Sequence, residues 1–228
     1  MTGFFIAATG TEVGKTFVAS ALAWQLFQWG KVVQAIKPVS SGFSESRWQG
    51  SDAAQLLEAC GQPVTLDMVR HINPWRFSAP VSPHLAAGDA APTAEAIEDF
   101  CREVLGEPCV TLIEGAGGIM TPLVQGYTQM DLVEALDIPV VMVAGNALGT
   151  ISHTLTALEA CHARGIKVLA VLLNETDDNA LTPLEDNAEA IRSHARDGIH
   201  VVTLTHQPAG TRPAWQNFPP LMELLNHD

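Results

Sequence analysis

Ala8-Thr9-Gly10-Thr11-Glu12-Val13-Gly14-Lys15-Thr16 is the stretch from which this chain is read. Before it, Phe4-Phe5-Ile6-Ala7-Ala8 is a short continuous apolar run, the pattern of a strand buried on both faces of a parallel sheet. After it, Val18, Leu22, Leu26 and Trp29 recur at the spacing of one helix face. A loop joining such a strand to a helix start aims unpaired backbone N–H groups and the positive end of the helix dipole at one point, where an anion is stabilised. Gly10 and Gly14 lack a Cβ and let the backbone wrap closely, Lys15 can reach β- and γ-phosphates, and the Thr16 hydroxyl can ligate Mg²⁺. The usual pattern, G-x-x-x-x-G-K-[ST], is not matched strictly, because its first glycine falls on Thr9 and Gly10 comes one residue later. The loop is read as a phosphate cradle for a nucleotide.

Composition narrows the partners. The chain has 228 residues, 47% hydrophobic and 16% charged, with a formal net charge of −13. That is a globular composition with many buried strands. A single nucleotide-binding α/β domain over residues 1–228 is expected, with no linker, repeat or low-complexity segment. The negative charge argues against a nucleic-acid or anionic-membrane partner held by a general basic surface, so an anionic ligand must be held locally. No basic leader precedes the first apolar run and no apolar stretch is long enough to cross a bilayer, so a soluble cytoplasmic protein is expected. Cys60, Cys101, Cys109 and Cys161 lie far apart and are expected as reduced thiols, and the histidines show no metal-ligand spacing.

From the loop onward, strand and helix patterns alternate. Gly30 reads as a helix stop and Val32–Ile36 as a strand ending at Lys37 and Pro38. Ligands of open α/β sheets gather beyond strand C-termini, so Lys37 is either an ordinary solvated lysine or a cation aimed into the same crevice as Lys15. Pro38-Val39-Ser40-Ser41-Gly42 reads as a polar turn whose hydroxyls can touch a substrate. Ser51 or Asp52 can cap the helix that follows, and the proline-rich residues 73–84 read as a long irregular loop with His84 structural. Thr93 caps a helix carrying Ile97 and Cys101. Val110-Thr111-Leu112-Ile113-Glu114 is an apolar strand ending in a carboxylate, followed by Gly115-Ala116-Gly117-Gly118. An acid so placed can position Mg²⁺ and such glycines let backbone approach a phosphate, with a simple turn as the alternative. A helix over Met130–Leu136, a strand over Pro139–Ala144 and a helix opening near Gly149, Thr150 and Ile151 come next, the last able to hold a second anion. A strand ending at Asn174, a helix capped by Thr182-Pro183-Leu184-Glu185 and running to about Arg196, a strand over His200–Leu204 and a short helix around Leu221–Leu225 complete the pattern. It predicts an α/β fold, a mainly parallel sheet with helices on both faces.

Together these residues resemble the dethiobiotin synthase (dethiobiotin synthetase) family of phosphate-loop NTPases. The resemblance runs from Phe4 to Asn174. It rests on Thr11-Glu12-Val13-Gly14-Lys15-Thr16, Lys37-Pro38-Val39 with Ser41-Gly42, Ser51-Asp52-Ala53, Asn73-Pro74, Ser82-Pro83-His84, Glu114-Gly115-Ala116-Gly117-Gly118 with Thr121-Pro122-Leu123, and Leu148-Gly149-Thr150-Ile151 with His153. It implies an ATP- and Mg²⁺-dependent ligase of biotin biosynthesis. The reaction would carboxylate 7,8-diaminopelargonic acid with CO₂ and close the ring to dethiobiotin, ADP and phosphate, through a carbamate and a carbamic–phosphoric anhydride.

The resemblance also implies roles. Lys15 and Lys37 are catalytic, the first following the γ-phosphate, the second stabilising charge on the carbamate and transferring phosphoryl. Thr16, Asp52 and Glu114 hold Mg²⁺. Glu12, Val13, Gly14, Lys15, Thr16, Phe17, Asp52, Glu114, Gly115, Ala116, Gly117 and Asn174 bind nucleotide, Asn174 at the base. Thr11 and Ser41 hold the diamine or its carbamate, and Gly149, Thr150 and Ile151 bind the substrate carboxylate from the partner subunit of a homodimer. Ala8 and Gly10 stand where the family usually has Gly and Asp, Ser152 replaces an Asn, and Thr203–Pro208 lacks a G-x-I-P stretch. The alternatives are a diverged ATP-dependent ligase or kinase-like relative, and a nucleotide-dependent switch ATPase, whose early loop lysine is Gly10 here.

Overall fold

The computed structural model describes residues 2–176, 183–207, 213–218 and 220–221. β1 (Thr2–Ala8) runs through the phosphate-loop stretch into α1 (Lys15–Gln28), and β2 (Val33–Ile36) follows. Next come β3 (Val39–Ser40), α2 (Asp52–Ala59), α3 (Leu66–Ile72), β4 (Trp75–Arg76), α4 (Pro83–Ala87) and α5 (Ala94–Leu105). β5 (Val110–Glu114) leads into a small hairpin of β6 (Pro122–Val124) and β7 (Tyr127–Thr128), then α6 (Gln129–Leu136). β8 (Val140–Gly145), α7 (Thr150–Ala163), β9 (Val168–Asn174), α8 (Leu184–His194) and β10 (His200–Leu204) follow.

Six strands form one sheet in the order β10-β9-β8-β1-β5-β2, and every pairing in it is parallel. The apolar runs are continuous because both faces are covered: Ile6, Leu112, Ile113 and all of Val140–Ala144 are fully buried. Helices cover the sheet in layers, α1 packing against α2, α5 against α6 and α7 against α8. Gln55 of α2 ties the first layer, donating to the Thr16 carbonyl at 3.3 Å and to Ser20 Oγ at 3.0 Å. Arg102 ties α5 to α6 through the Ala135 carbonyl at 2.9 Å. The chain leaves β1 towards β2 in one direction and later fills β8 to β10 in the other. The strand order therefore reverses beside β1, and a crevice opens beyond the strand C-termini there.

The structure corrects several local expectations. α1 is buried nearly all round, Ala19, Ala21 and Ala23 included, because α2 and the turn at Ala214–Asn217 cover its outer side; Trp29, past the helix end, is exposed. β2 starts at Val33, leaving Val32 exposed. Val39–Ser40, expected as a turn, pairs in parallel with Trp75–Arg76, so the proline-rich segment carries a short strand, and Pro83 opens the five-residue α4. Pro183 occupies the cap position of α8 without a side-chain bond, and that helix ends at His194. Thr182 and most of the short helix expected around Leu221–Leu225 lie outside the described residues, and Leu221 itself is not helical. No helix among the described residues is long and apolar enough to cross a membrane.

Candidate active site

The loop after β1 opens α1 at Gly14, whose φ of 96° lies in the left-handed region. A Cβ there would also overlap the Asn174 amide nitrogen. Glycine is thus demanded twice, by torsion and by close approach. Gly10 is not: its φ is not positive, and a Cβ would meet only Val13 Cγ1, at 4.0 Å. The left-handed residue in the first half of the loop is Glu12, with φ 60°. The expectation that both glycines supply backbone freedom therefore holds for Gly14 alone. Lys15 is buried and folds back across the loop, its Nζ donating to the Gly10 carbonyl at 3.1 Å. Burial lowers its pKa to about 8, and the neighbouring Lys37 adds to this against the opposing pull of Glu114.

Lys37 is not a solvated lysine. It is only 6% exposed, one residue past β2, and its Nζ donates to Glu114 Oε1 at 2.7 Å and to Asp52 Oδ2. β2 and β5 are paired with Ile36 opposite Ile113, so the next residues, Lys37 and Glu114, emerge side by side. Glu114 Oε1 also accepts from Thr16 Oγ1 at 2.7 Å, while Glu114 Oε2 is buried with no hydrogen-bond partner. Ser51 takes the cap of α2, its hydroxyl accepting from Ala54 N at 3.3 Å. The Asp52 side chain, half exposed in the first turn, is left for Lys37. Burial works against charge on Lys37, but Glu114 and Asp52 outweigh it and hold its pKa above the ordinary lysine value. Burial raises the pKa of Glu114, whereas at Asp52 it is overcome by Lys37 and the carboxyl titrates below its usual range.

The glycine segment after β5 is strapped beside the loop. Gly115 N donates to the Ile6 carbonyl at 3.1 Å and Ile119 N to the Ala8 carbonyl at 2.7 Å. Gln129, buried at the start of α6, donates through Nε2 to the carbonyls of Gly118, at 2.7 Å, and of Ala116. A peptide carbonyl and the next N–H point in opposite directions, so holding the Ala116 carbonyl turns the Gly117 N–H away from Gln129. Asn174, at the end of β9, donates to the Val13 carbonyl at 3.1 Å and so braces the loop. Thr11 and Glu12 stand exposed on it, and the Phe17 ring packs edge-on against Phe218 at 4.6 Å.

Beside the cluster lies an open polar cleft lined by Lys37, Ser41, Ser51, Asp52 and Asn73 among others. Gly149, Thr150 and Ile151 open α7 beyond the C-terminus of β8, with Gly149 at φ 93°. Among the described residues they share no hydrogen bond or ion pair with the Lys37 cluster, and Thr150 Oγ1 is buried without a partner. Gln55 and Gln129 escape sequence reading as supports of the site, and Asn73, which with Pro74 belongs to the resemblance, has no role assigned there. Each is a lone amide whose partners are distant in sequence, a feature with no spacing signal.

A family model described as an AAA domain matches residues 2–204. Among solved structures, the MinD cell division protein of Aquifex aeolicus aligns with a TM-score of 0.56 at 14% identity, over 99% of this chain and 94% of that one. A ParA family ATPase from Chlorobium tepidum aligns at 0.54 and 15% identity, over 91% and 84%. These likenesses show the fold alone. In sequence, the ATP-dependent dethiobiotin synthetase BioD of Methylobacterium nodulans is 42% identical over 89% of this chain and 92% of its own length. The chain belongs to the dethiobiotin synthetase family. Dethiobiotin synthetases of Phenylobacterium zucineum, at 39% identity over 86% of this chain and 85% of the relative, and of Acidiphilium cryptum, at 42% over 85% and 88%, agree. Within this dethiobiotin synthetase fold, the phosphate-loop lysine, the Lys37 cluster and the polar cleft are contiguous.

Proposed function

We propose that this chain is an ATP-dependent dethiobiotin synthetase of biotin biosynthesis. The observation that carries the mechanism is the buried Lys37 ammonium, clamped between Asp52 and Glu114 next to Lys15 and Thr16 and facing the polar cleft. One amine of 7,8-diaminopelargonic acid attacks CO₂, forms the N–C bond and loses a proton, giving a carbamate. A carbamate oxygen takes the γ-phosphoryl group and ADP leaves. The second amine then attacks the carbamate carbon, the ring closes, and phosphate and a proton depart. No covalent nucleophile is required, so the protein acts by positioning and by stabilising charge.

Lys37 suits the electrostatic role because its carboxylate neighbours keep it protonated; it is a fixed cation, not a base. Lys15, whose Nζ lies against the Gly10 carbonyl, is within the loop that receives the phosphates and would pair with them. Thr16, Asp52 and Glu114 would hold Mg²⁺. The donor set fits a hard oxygen-seeking ion: a hydroxyl already on the Glu114 carboxylate, a half-exposed carboxylate, and the buried Glu114 oxygen without a hydrogen-bond partner. When bound, such an ion neutralises charge on the phosphate oxygens. Thr11 and Ser41 contact the diamine or carbamate, and the segment 115–117 with Glu12 to Phe17 receives the nucleotide, Asn174 lying at the base end. We take residues 1–228 to act as one nucleotide-binding domain, in the cytoplasm, as a homodimer in which Gly149, Thr150 and Ile151 of one subunit meet the substrate carboxylate in the other.

The test is an assay of purified protein with diamine, bicarbonate and MgATP, reading dethiobiotin by mass spectrometry while omitting each component in turn. Product that requires all of them is expected. A folded, ATP-binding protein that makes none removes the reading.

A further inference from the structure

Asn73 lies between α3 and β4, 1% exposed, and its side chain closes on the main chain that carries Lys37. Its Nδ2 donates to the carbonyl of Lys37 and, at 3.5 Å, to that of Pro38, while its Oδ1 accepts from Ser40 Oγ at 2.8 Å. Two carbonyls at one end of an amide can be served only by the NH₂ group, and the hydroxyl at the other end supplies a donor, so chemistry fixes which way the amide points. The Lys37 N–H in turn donates to the Ile72 carbonyl at 3.0 Å. Both polar main-chain groups of Lys37 are therefore held by two consecutive residues at the end of α3.

The need for such an anchor follows from the topology. The β2–β5 ladder ends at Ile36, so strand pairing does not fix Lys37. Among the described residues β2 is also the sheet edge. Asp52 and Glu114 fix the ammonium, but a long side chain held only at its tip can still pivot with its backbone. Asn73 removes that freedom. Two backbone bonds, Trp75 N to the Pro38 carbonyl at 3.2 Å and Phe77 N to the Ser40 carbonyl at 2.9 Å, extend the same clamp along β3 and β4.

We propose that Asn73 is a positioning residue for the reaction: it anchors the Lys37 backbone so that the ammonium meets the carbamate and the transferring phosphoryl group. The inference rests on the role given to Lys37 above. Asn73→Asp keeps the shape and the acceptor towards Ser40 but turns an oxygen on the Lys37 carbonyl, while Asn73→Ala removes both contacts. Each should lower kcat by about tenfold or more and leave the nucleotide Kd within about threefold, since the phosphate cradle is untouched. The decisive readout is a cycle with Lys37→Ala, followed by accumulated product. If Asn73 acts through Lys37, Asn73→Asp costs no further kcat once the lysine is gone. A kcat within about twofold of wild type for either single variant overturns the inference, as does the same fold loss in both backgrounds. Should the Asn73 variants not fold, Ser40→Ala frees only the amide oxygen and should lower kcat by a few-fold; an unchanged kcat there refutes the proposal. Wild-type protein that makes no dethiobiotin instead removes the reaction on which the inference stands.

Discussion

Replacing Lys37 by alanine should nearly abolish turnover while leaving the nucleotide bound. Lys37 is 6% exposed and its ammonium reaches two carboxylates, so water cannot replace the charge it supplies. Loss of one preorganised charge-stabilising donor lowers kcat by about 100- to 1,000-fold, or about 2.7–4 kcal/mol. Lys37 pairs at its tip with Asp52 and Glu114, outside the phosphate loop, so the Kd for nucleotide should change by less than about threefold. A stability cost accompanies this. Glu114 loses its buried counter-ion, a change worth about 3–5 kcal/mol, or roughly 6–20 °C in Tm at about 2–4 °C per kcal/mol for a chain of this size. Burial already raises the Glu114 pKa, and without Lys37 it rises further. A carboxyl whose folded pKa lies above its unfolded value takes up a proton on folding, so the deficit should shrink as pH falls through that raised pKa. Product accumulation by mass spectrometry, nucleotide calorimetry and thermal unfolding against pH read the three effects separately. A folded variant that turns over within about threefold of wild type would refute the electrostatic role of Lys37.

Three further outcomes are expected. Gly14→Ala forces a Cβ onto a φ of 96° and onto the Asn174 amide, so its Tm should fall sharply, while Gly10→Ala, with open space around it, should leave Tm unchanged. Equal losses in thermal unfolding would contradict the assignment of loop strain. Burial lowers the Lys15 pKa to about 8, and phosphate favours its charged form. Binding above that pH must draw in a proton, so the Kd for nucleotide should weaken towards about tenfold per pH unit, and a flat calorimetric profile to about pH 9.5 would count against it. Gln129→Leu leaves the buried Ala116 carbonyl without this donor, which costs about 1–3 kcal/mol, while the Gly118 carbonyl keeps the Thr121 N–H at 2.9 Å. Thermal unfolding should show that loss together with a raised KM for ATP, and an unchanged KM would separate the glycine segment from the nucleotide.

The parallel sheet was legible because strands covered on both faces must be continuously apolar, and Phe4–Ala8, Val110–Ile113 and Val140–Ala144 are. The phosphate loop was legible because its glycine, lysine and threonine act as neighbours, within one turn of chain. Less could be read where residues act at a distance. Ser51 and Asp52 were equal candidates for the α2 cap, and only the position of Lys37 tells them apart: Ser51 takes the backbone N–H and Asp52 the ammonium. Gln129 carries no motif, because its partners, 13 and 11 residues away, are main-chain carbonyls that any residue could present.

By itself the sequence determined the alternation of strand and helix, the cradle at Gly14-Lys15-Thr16 and the acid at the end of β5, since each depends on residues adjacent along the chain. Tertiary structure alone decided that Lys37 is a buried cation rather than a solvated one. That outcome needs β2 paired beside β5, Glu114 brought across 77 residues of sequence and Asp52 across 15. Such charge pairing is a property of strand order and register, which arise from how the whole chain covers its apolar faces and leave no local trace.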